Sequence, residues 1–198
     1  AIVVLYYTLL GNRIPSACYA AMIVLGIAFY IVGFFLIIKR YVRHWNWDLS
    51  EAWPNTNCIL HGAMSITGLA IVISEALSSN VALFIWLWVL MWFLIVESIE
   101  CLRAVIRISK HGWVEGIGRY DVSQWSRNFT FGMLYAFSMY FDLSQTSFND
   151  VHLLYVIRYF IVQYGTWIVM ALLANECLLY LKAKLKIGKI TPMRQKSA

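Results

Sequence analysis

The sequence predicts an all-α fold, a polytopic transmembrane helical bundle with five full spans and an N-terminal partial helix. Of the 198 residues, 61% are hydrophobic and only 13% are charged, whereas a soluble domain usually carries about 25% charged residues. Several apolar runs reach the length of about 20 residues that a helix needs to cross a bilayer. The chain also has 9 Trp, 12 Tyr and 11 Phe, rings that favour membrane–water boundaries.

The partial helix and the first two spans follow from apolar runs and the polar residues that interrupt them. Residues 1–10 form a run about half the length of a span. Because this run is short and the chain does not begin with Met, we expect further residues upstream of Ala1. The first full span covers about residues 17–38 and ends at a basic stretch, residues 39–43. The second span, residues 58–77, is rich in small side chains.

The other three spans complete a single integral membrane domain. The third span, residues 81–106, is bulky, and a glycine-containing loop at 109–123 separates it from the short fourth span, residues 124–141. The fifth span covers residues 152–181, and a basic tail follows at 182–198. We expect these spans to be helices because hydrocarbon offers no partner to an unpaired backbone group.

The basic residues indicate how the spans are oriented. If successive spans cross in alternate directions, all of the 16 basic residues except Arg13 and Arg158 lie on or near one side. Cytoplasmic loops collect Lys and Arg in this way. The sequence therefore predicts a multi-pass protein of the cell membrane with a cytoplasmic C-terminus. The bilayer and either further copies of the chain or other membrane subunits are the expected partners.

Motifs of enzymes and of nucleic-acid binding are missing from the sequence. No GxSxG, HExxH or P-loop pattern occurs, so we predict a protein that is not an enzyme. The basic residues lie at the ends of apolar runs, which does not suit a nucleic-acid-binding surface. The four cysteines form no CxxC pair, and we expect buried packing thiols and no metal site.

Spans two and four carry the residues that we predict to line a path. His61, Ser65 and Gly68 share one helical face because they are spaced at i, i+4 and i+7. The residues predicted to line the path are His61, Gly62, Ser65, Gly68, Arg127 and Thr130. Close helix packing would explain the same small residues, and His61 alone could instead ligate a haem, although no second histidine lies at matching depth.

Charged residues within the spans form a second group of candidates. The predicted intramembrane charges are Glu97, Glu100, Arg103 and Glu176. Ionisable residues in spans are functional candidates, for example as a proton relay. Their position near the cytoplasmic ends favours an interfacial salt-bridge cluster instead.

Three stretches resemble the tellurite-resistance/dicarboxylate transporter family, which includes the slow anion channels of plant guard cells. They are Pro54 followed by the small-residue span at 58–70, the aromatic segment 125–137, and a last span that ends in Lys182, Lys184 and Lys186. The resemblance implies ten spans in five hairpins around a pore for small anions, of which this chain would match helices five to ten. It also implies a pore-occluding phenylalanine, for which the candidates are Phe129, Phe131 and Phe137.

Two functions from different classes follow from these observations. The first is a transporter or channel-like protein for small anions, with Arg127 and the basic face attracting the anion. The alternative is a non-catalytic accessory subunit of a larger respiratory, photosynthetic or oxygenase complex. It would bind neighbouring subunits, lipids or pigments through its Trp-rich helices. The sequence indicates no cofactor by motif.

Overall fold

The computed structural model describes residues 1–43, 49–148 and 150–190, and every regular element in these ranges is a helix. The all-α prediction is therefore confirmed for the described residues. The α-helices, in chain order, are α1 (Ile2–Leu10), α2 (Ser16–Arg43), α3 (Leu49–Ala52), α4 (Ile59–Ser74), α5 (Ser79–Gly116), α6 (Gln124–Tyr140) and α7 (His152–Ile190). Single 3-10 turns lie at Gly11–Arg13, Asn55–Cys58 and Leu143–Gln145.

Four helical segments in the described ranges are long and apolar enough to cross a membrane. They are Ser16–Arg43, Asn55–Ser74, Ser79–Gly116 and His152–Leu185. The predicted fourth span, 124–141, coincides with α6, a helix of 17 residues with Arg127 and Asn128 near its start. Because α6 is shorter and more polar than the four segments, the fifth span stays a prediction.

Three helices, α2, α5 and α7, continue beyond the predicted ends of their spans, whereas α4 ends at Ser74, before the predicted end at 77. Helix α5 reaches Gly116, so the loop predicted for residues 109–123 begins only at Ile117. Its helical geometry is interrupted at Gly112, where φ is 74°, a value that glycine adopts without strain. Helix α7 reaches Ile190, because Lys, Leu and Ala are good helix formers even where the apolar run has ended. Residues 191–198 of the predicted tail lie outside the described residues.

Helix α4 is the centre of the bundle and contacts α1, α2, α5 and α6. Among the described residues, 61% of the most apolar stretch of α4 is buried, compared with 6% of that of α2 and none of that of α7. Small side chains on α4 explain this position, since they let neighbouring helices approach closely. Helix α7 packs mainly on α6.

Polar contacts tie the helix ends together at both ends of the bundle. Asn55 Nδ2 donates to Ser123 Oγ at 2.8 Å at one end. Asn80 Nδ2 donates to Ser147 Oγ at 2.9 Å at the other.

The core between these ends is mainly aromatic and aliphatic. Trp86 of α5 is fully buried, and its Nε1–H donates to Ser138 Oγ of α6 at 2.9 Å.

Of the cysteines, only Cys58 is buried, whereas Cys18, Cys101 and Cys177 are exposed. The prediction of buried thiols is therefore wrong for these three, because an apolar run does not reveal which face of its helix packs.

Candidate functional site

The predicted path residues on α4 lie where this helix packs against α6. A Cβ atom added to Gly62 would lie 2.1 Å from Thr130 Cγ2, and one added to Gly68 would lie 2.2 Å from Phe137 Cε1. The two glycines therefore allow an approach that no larger residue would permit. In this structure the interface between α4 and α6 is closed at both positions, and a path along it would require the helices to separate.

His61 and Ser65 are both fully buried in this interface. Ser65 Oγ donates to the carbonyl oxygen of His61 at 2.9 Å, so its hydroxyl is satisfied within α4. The His61 ring lies edge-on to Phe93 and Phe131, at centroid distances of 5.3 and 6.5 Å. Neither imidazole nitrogen has a hydrogen-bond partner within the described residues. A haem at His61 would need these two rings to move apart.

The three candidate gate residues occupy different environments. Phe129 is 59% exposed and lies outside the packed core. Phe137 is fully buried and covers Gly68. Phe131 contacts Phe93 at a centroid distance of 5.0 Å, and together these two rings enclose His61. Of the three, only Phe131 and Phe137 therefore lie where two packed helices meet.

The charged residues of α5 form an ion-pair cluster with Arg127 of α6. Arg127 pairs with both carboxylate oxygens of Glu97, and its Nη1 lies 3.9 Å from Glu100 Oε2. Arg103 Nη1 lies 3.3 Å from Glu100 Oε2. The salt-bridge interpretation agrees with the structure for Glu97, Glu100 and Arg103, whereas no ion pair of Glu176 is found among the described residues. Arg127, however, neutralises Glu97 and is not a free cation on a path.

Neighbouring polar side chains hold this cluster in place. Trp53 Nε1 donates to Glu100 Oε1 at 3.0 Å, and Arg103 Nη1 donates to Asn55 Oδ1. The sequence did not identify Trp53 and Arg127 as partners of these carboxylates, or Asn55 as a partner of Arg103. The sequence did contain one indication of these pairs. Spans three and four are consecutive and antiparallel, so acidic residues near the end of span three lie close to Arg127 near the start of span four.

A cavity of about 890 Å³ opens beside the ion-pair cluster, between α5, α6, α7 and the loop before α6. Its charged lining residues are Arg103, Arg107, Arg119, Arg127 and Lys182, with Glu100, Asp121 and Glu176. The lining has more basic than acidic side chains. One of the basic residues, Arg127, is paired with Glu97 outside the lining, and the remaining excess favours the binding of anions. Of the lining residues, only Glu100, Arg103, Arg127 and Glu176 were among the predicted sites.

Hydrogen bonds fix the outer wall of the cavity. Arg107 Nε donates to the carbonyl oxygen of Gly116 at 3.0 Å, which folds the end of α5 back on itself. In the loop before α6, Asp121 Oδ1 accepts from Ser123 Oγ at 2.6 Å and from Ser123 N at 2.8 Å. These bonds hold the pKa of Asp121 below its ordinary value of 3.8, so this carboxylate is ionised at neutral pH.

Three residues at the inner wall of the cavity have buried polar atoms without a partner in the described part of the chain. The atoms are Arg103 Nε, Asn128 Oδ1 and Glu176 Oε2. Arg103, Asn128 and Glu176 are 9%, 7% and 8% exposed, respectively. A buried polar group without a partner costs about 1–3 kcal/mol, and these three atoms are shielded from a molecule in the cavity because they have almost no accessible surface. Asn128 was not among the predicted site residues, because the sequence does not distinguish it from other polar residues near the start of a helix.

The helices and the cavity define an all-helical protein whose apolar segments are compatible with a membrane. No family model matches the chain, and no match is found among curated proteins or among solved structures. The resemblance to tellurite-resistance/dicarboxylate transporters therefore stays a prediction. No cluster of three or more His, Cys, Asp or Glu residues that could hold a metal ion occurs in residues 1–43, 49–148 and 150–190.

Proposed function

We propose that this chain is an integral membrane transporter or channel-like protein for small anions, with its basic end in the cytoplasm. The observation that carries this proposal is the cavity at the basic end, which has five basic and three acidic lining residues. The cavity is the site where an anion would first bind. Arg127 connects it to the core, because its guanidinium lies 5.9 Å from the centre of the Phe131 ring.

In this proposal α6 is a fifth, short span and Phe131 is the gate. At about 1.5 Å per residue, the 17 residues of α6 rise about 25 Å, somewhat less than the hydrocarbon thickness of about 30 Å. Further passage from the cavity requires the Phe93 and Phe131 rings beside His61 to separate. The proposed resting state is therefore closed, with an anion site on its cytoplasmic side.

Chloride flux into proteoliposomes tests the proposal. The flux of the unchanged protein is compared with that of a variant that loses one charge without a change in packing. Arg119 is exposed at the cavity, so Arg119→Gln removes one positive charge without creating a buried gap. We expect flux to fall several-fold at low ionic strength and less at high salt, where screening is stronger. Lys39→Gln removes an exposed charge from the same end but outside the cavity, and it should retain full flux.

Two results would contradict this function. One is chloride flux no greater than that of empty liposomes. The other is an equal fall in chloride flux in Arg119→Gln and Lys39→Gln. That result would show that the flux depends on the charge of the surface in general and not on the cavity. Arg127→Gln also lowers flux in this proposal, but it must be compared with the Glu97→Gln/Arg127→Gln double variant, since Arg127 holds Glu97.

An accessory subunit of a larger membrane complex is the second candidate. The observation that favours it is the exposed apolar surface of α2 and α7, whose most apolar stretches are 6% and 0% buried within the described residues. Neighbouring subunits or pigments would cover these helices in such a complex. Native mass and visible absorption after gentle detergent extraction test this candidate. Stoichiometric foreign subunits would support it, and a colourless homo-oligomer would favour the transporter.

A further inference from the structure

We propose that two copies of this chain associate in the membrane through α7, with the Gln163 side chains of the two copies hydrogen-bonded to each other. Such a dimer does not depend on anion transport. The face involved, which we call the exposed seam, consists of Gln163, Thr166, Met170, Ala174 and Cys177, and all five residues are exposed.

The exposed seam lies on the side of α7 that faces away from the bundle. Gly165 marks the opposite side, because a Cβ atom there would lie 2.8 Å from Tyr135 Cδ2 of α6, the helix on which α7 mainly packs. At about 100° per residue, Gln163 lies about 160° around the helix from Gly165. The other seam residues follow at spacings of three or four, so they share the side of Gln163.

Gln163 lies within the hydrocarbon wherever the bilayer crosses α7. From His152 to Lys182, near the two ends of the apolar segment, the chain advances 30 positions. This length corresponds to about 45 Å of helix, with Gln163 about 17 Å from His152. A hydrocarbon layer of about 30 Å placed anywhere between these two residues therefore includes Gln163.

The side-chain amide of Gln163 needs a partner at this depth. No hydrogen bond of this side chain is found among the described residues, and hydrocarbon offers none. An amide has both donors and an acceptor, so two glutamine side chains can satisfy each other. Hydrogen bonds of this kind stabilise the association of helices in membranes.

A second copy of the chain presents the same amide at the matching depth. Two copies with the same topology have parallel α7 helices related by a two-fold axis, so each seam residue faces its own counterpart. Ala174 and Cys177 are small, which lets the two helices approach closely. The seam itself has no charged residue that would repel its counterpart, and the Lys-rich end of α7 begins only at Lys182.

Cys177 provides a direct test because it belongs to the exposed seam. Proteins that retain only Cys177 or only Cys101, with the other cysteines changed to Ala, are oxidised with copper phenanthroline in liposomes. Cys101 is the matched control, since it is also exposed and follows Glu100, which lines the same cavity as Glu176. We expect an intermolecular disulfide through Cys177, where a close parallel pair brings identical residues within bonding range, and little through Cys101.

Gln163→Leu tests the role of the amide, because it removes the hydrogen-bonding groups from a side chain that faces away from the bundle. Energy transfer between labelled copies, measured while the protein is diluted with lipid, gives the strength of association. We expect association about 5- to 30-fold weaker than in the unchanged protein, the effect of roughly one hydrogen bond between membrane helices. Gln163→Asn keeps an amide and should retain most of the association, and thermal unfolding shows that each variant is folded.

A protein that stays monomeric at every ratio of protein to lipid would overturn the proposed dimer. Equal disulfide formation through Cys101 and Cys177 would also overturn it, as would undiminished association of Gln163→Leu. A foreign subunit crosslinked at Cys177 in native membranes would overturn the second copy as the partner and assign the seam to a larger complex. Chloride flux is measured separately, so failure of the dimer is distinguishable from failure of the proposed function.

Discussion

At the scale of single residues, Gly68 sets the distance between α4 and α6. A Cβ atom at this position would lie 2.2 Å from the ring of Phe137, which is fully buried and cannot turn into free space. We expect Gly68→Ala to lower the free energy of unfolding by about 1–3 kcal/mol through overpacking. Thermal or denaturant unfolding of the detergent-solubilised protein measures this loss.

Gly26→Ala is the matched control for this prediction. Gly26 lies in α2 and a Cβ atom there would have no neighbour within 4 Å. Alanine is also the better helix former, so this variant should be as stable as the unchanged protein or slightly more stable. Equal losses in the two variants would contradict the packing role of Gly68.

The ion pair between Glu97 and Arg127 is the second residue-scale prediction. Arg127→Gln leaves the Glu97 carboxylate without its main partner, and breaking a buried pair in this way costs about 3–5 kcal/mol. Since Arg127 is 33% exposed, we expect a loss at or below the lower end of that range. The Glu97→Gln/Arg127→Gln double variant removes both charges and should recover most of the stability. A double variant that is less stable than Arg127→Gln would show that the pair is not the cause.

At the scale of elements, the starts of the helices followed the prediction more closely than their ends did. The starts of α2, α6 and α7 lie within one residue of the predicted starts at 17, 124 and 152, because polar or turn-forming residues precede each apolar run. The ends of α5 and α7 extend past the predicted ends at 106 and 181. An apolar run indicates where a bilayer could lie, whereas helix propensity continues into polar sequence.

The turn between α6 and α7 should contribute a pH-dependent part of the stability. Asp142 accepts hydrogen bonds from Ser144 N at 3.0 Å and from Ser144 Oγ at 2.8 Å, which lower the pKa of Asp142 below its ordinary value of 3.8. This contribution is complete above pH 3.8 and is lost as the pH falls through the lower folded-state pKa, because the unfolded chain takes up the proton first.

Comparison with Asp142→Asn isolates this contribution. The variant keeps an amide oxygen that can accept the same bonds but cannot ionise. We expect the difference in unfolding temperature between the two proteins to be largest near neutral pH and to shrink below about pH 4. A difference that does not change with pH would show that ionisation of Asp142 has no part in it.

At the scale of the whole molecule, the proposed topology places the basic end in the cytoplasm and the turn between α6 and α7 outside the cell. Both Lys39 and Ser144 are exposed and lie at opposite ends of the proposed topology. We test cysteine variants Lys39→Cys and Ser144→Cys in a protein whose native cysteines are changed to Ala. A membrane-impermeant maleimide should label Ser144→Cys in intact cells and Lys39→Cys only after permeabilisation. The reverse pattern would invert the proposed orientation.

From the amino-acid sequence we predicted the helical class, the approximate helix starts and the concentration of basic residues near the ends of apolar runs. These features are local, because apolar run length and the positions of Lys and Arg can be counted along the chain. The charges Glu97, Glu100, Arg103 and Glu176 were also identified, since ionisable residues stand out within apolar runs.

Which of these residues contact each other depends on how the helices pack. Arg127 pairs with Glu97, Gly62 contacts Thr130, and Glu176 lines the same cavity as Arg103. Each contact joins two helices, so it depends on how these are rotated and at what depth they cross. Periodicity along one helix defines its faces but not which partner each face contacts. The cavity exists for the same reason, because its walls come from segments up to 128 positions apart, from Pro54 to Lys182.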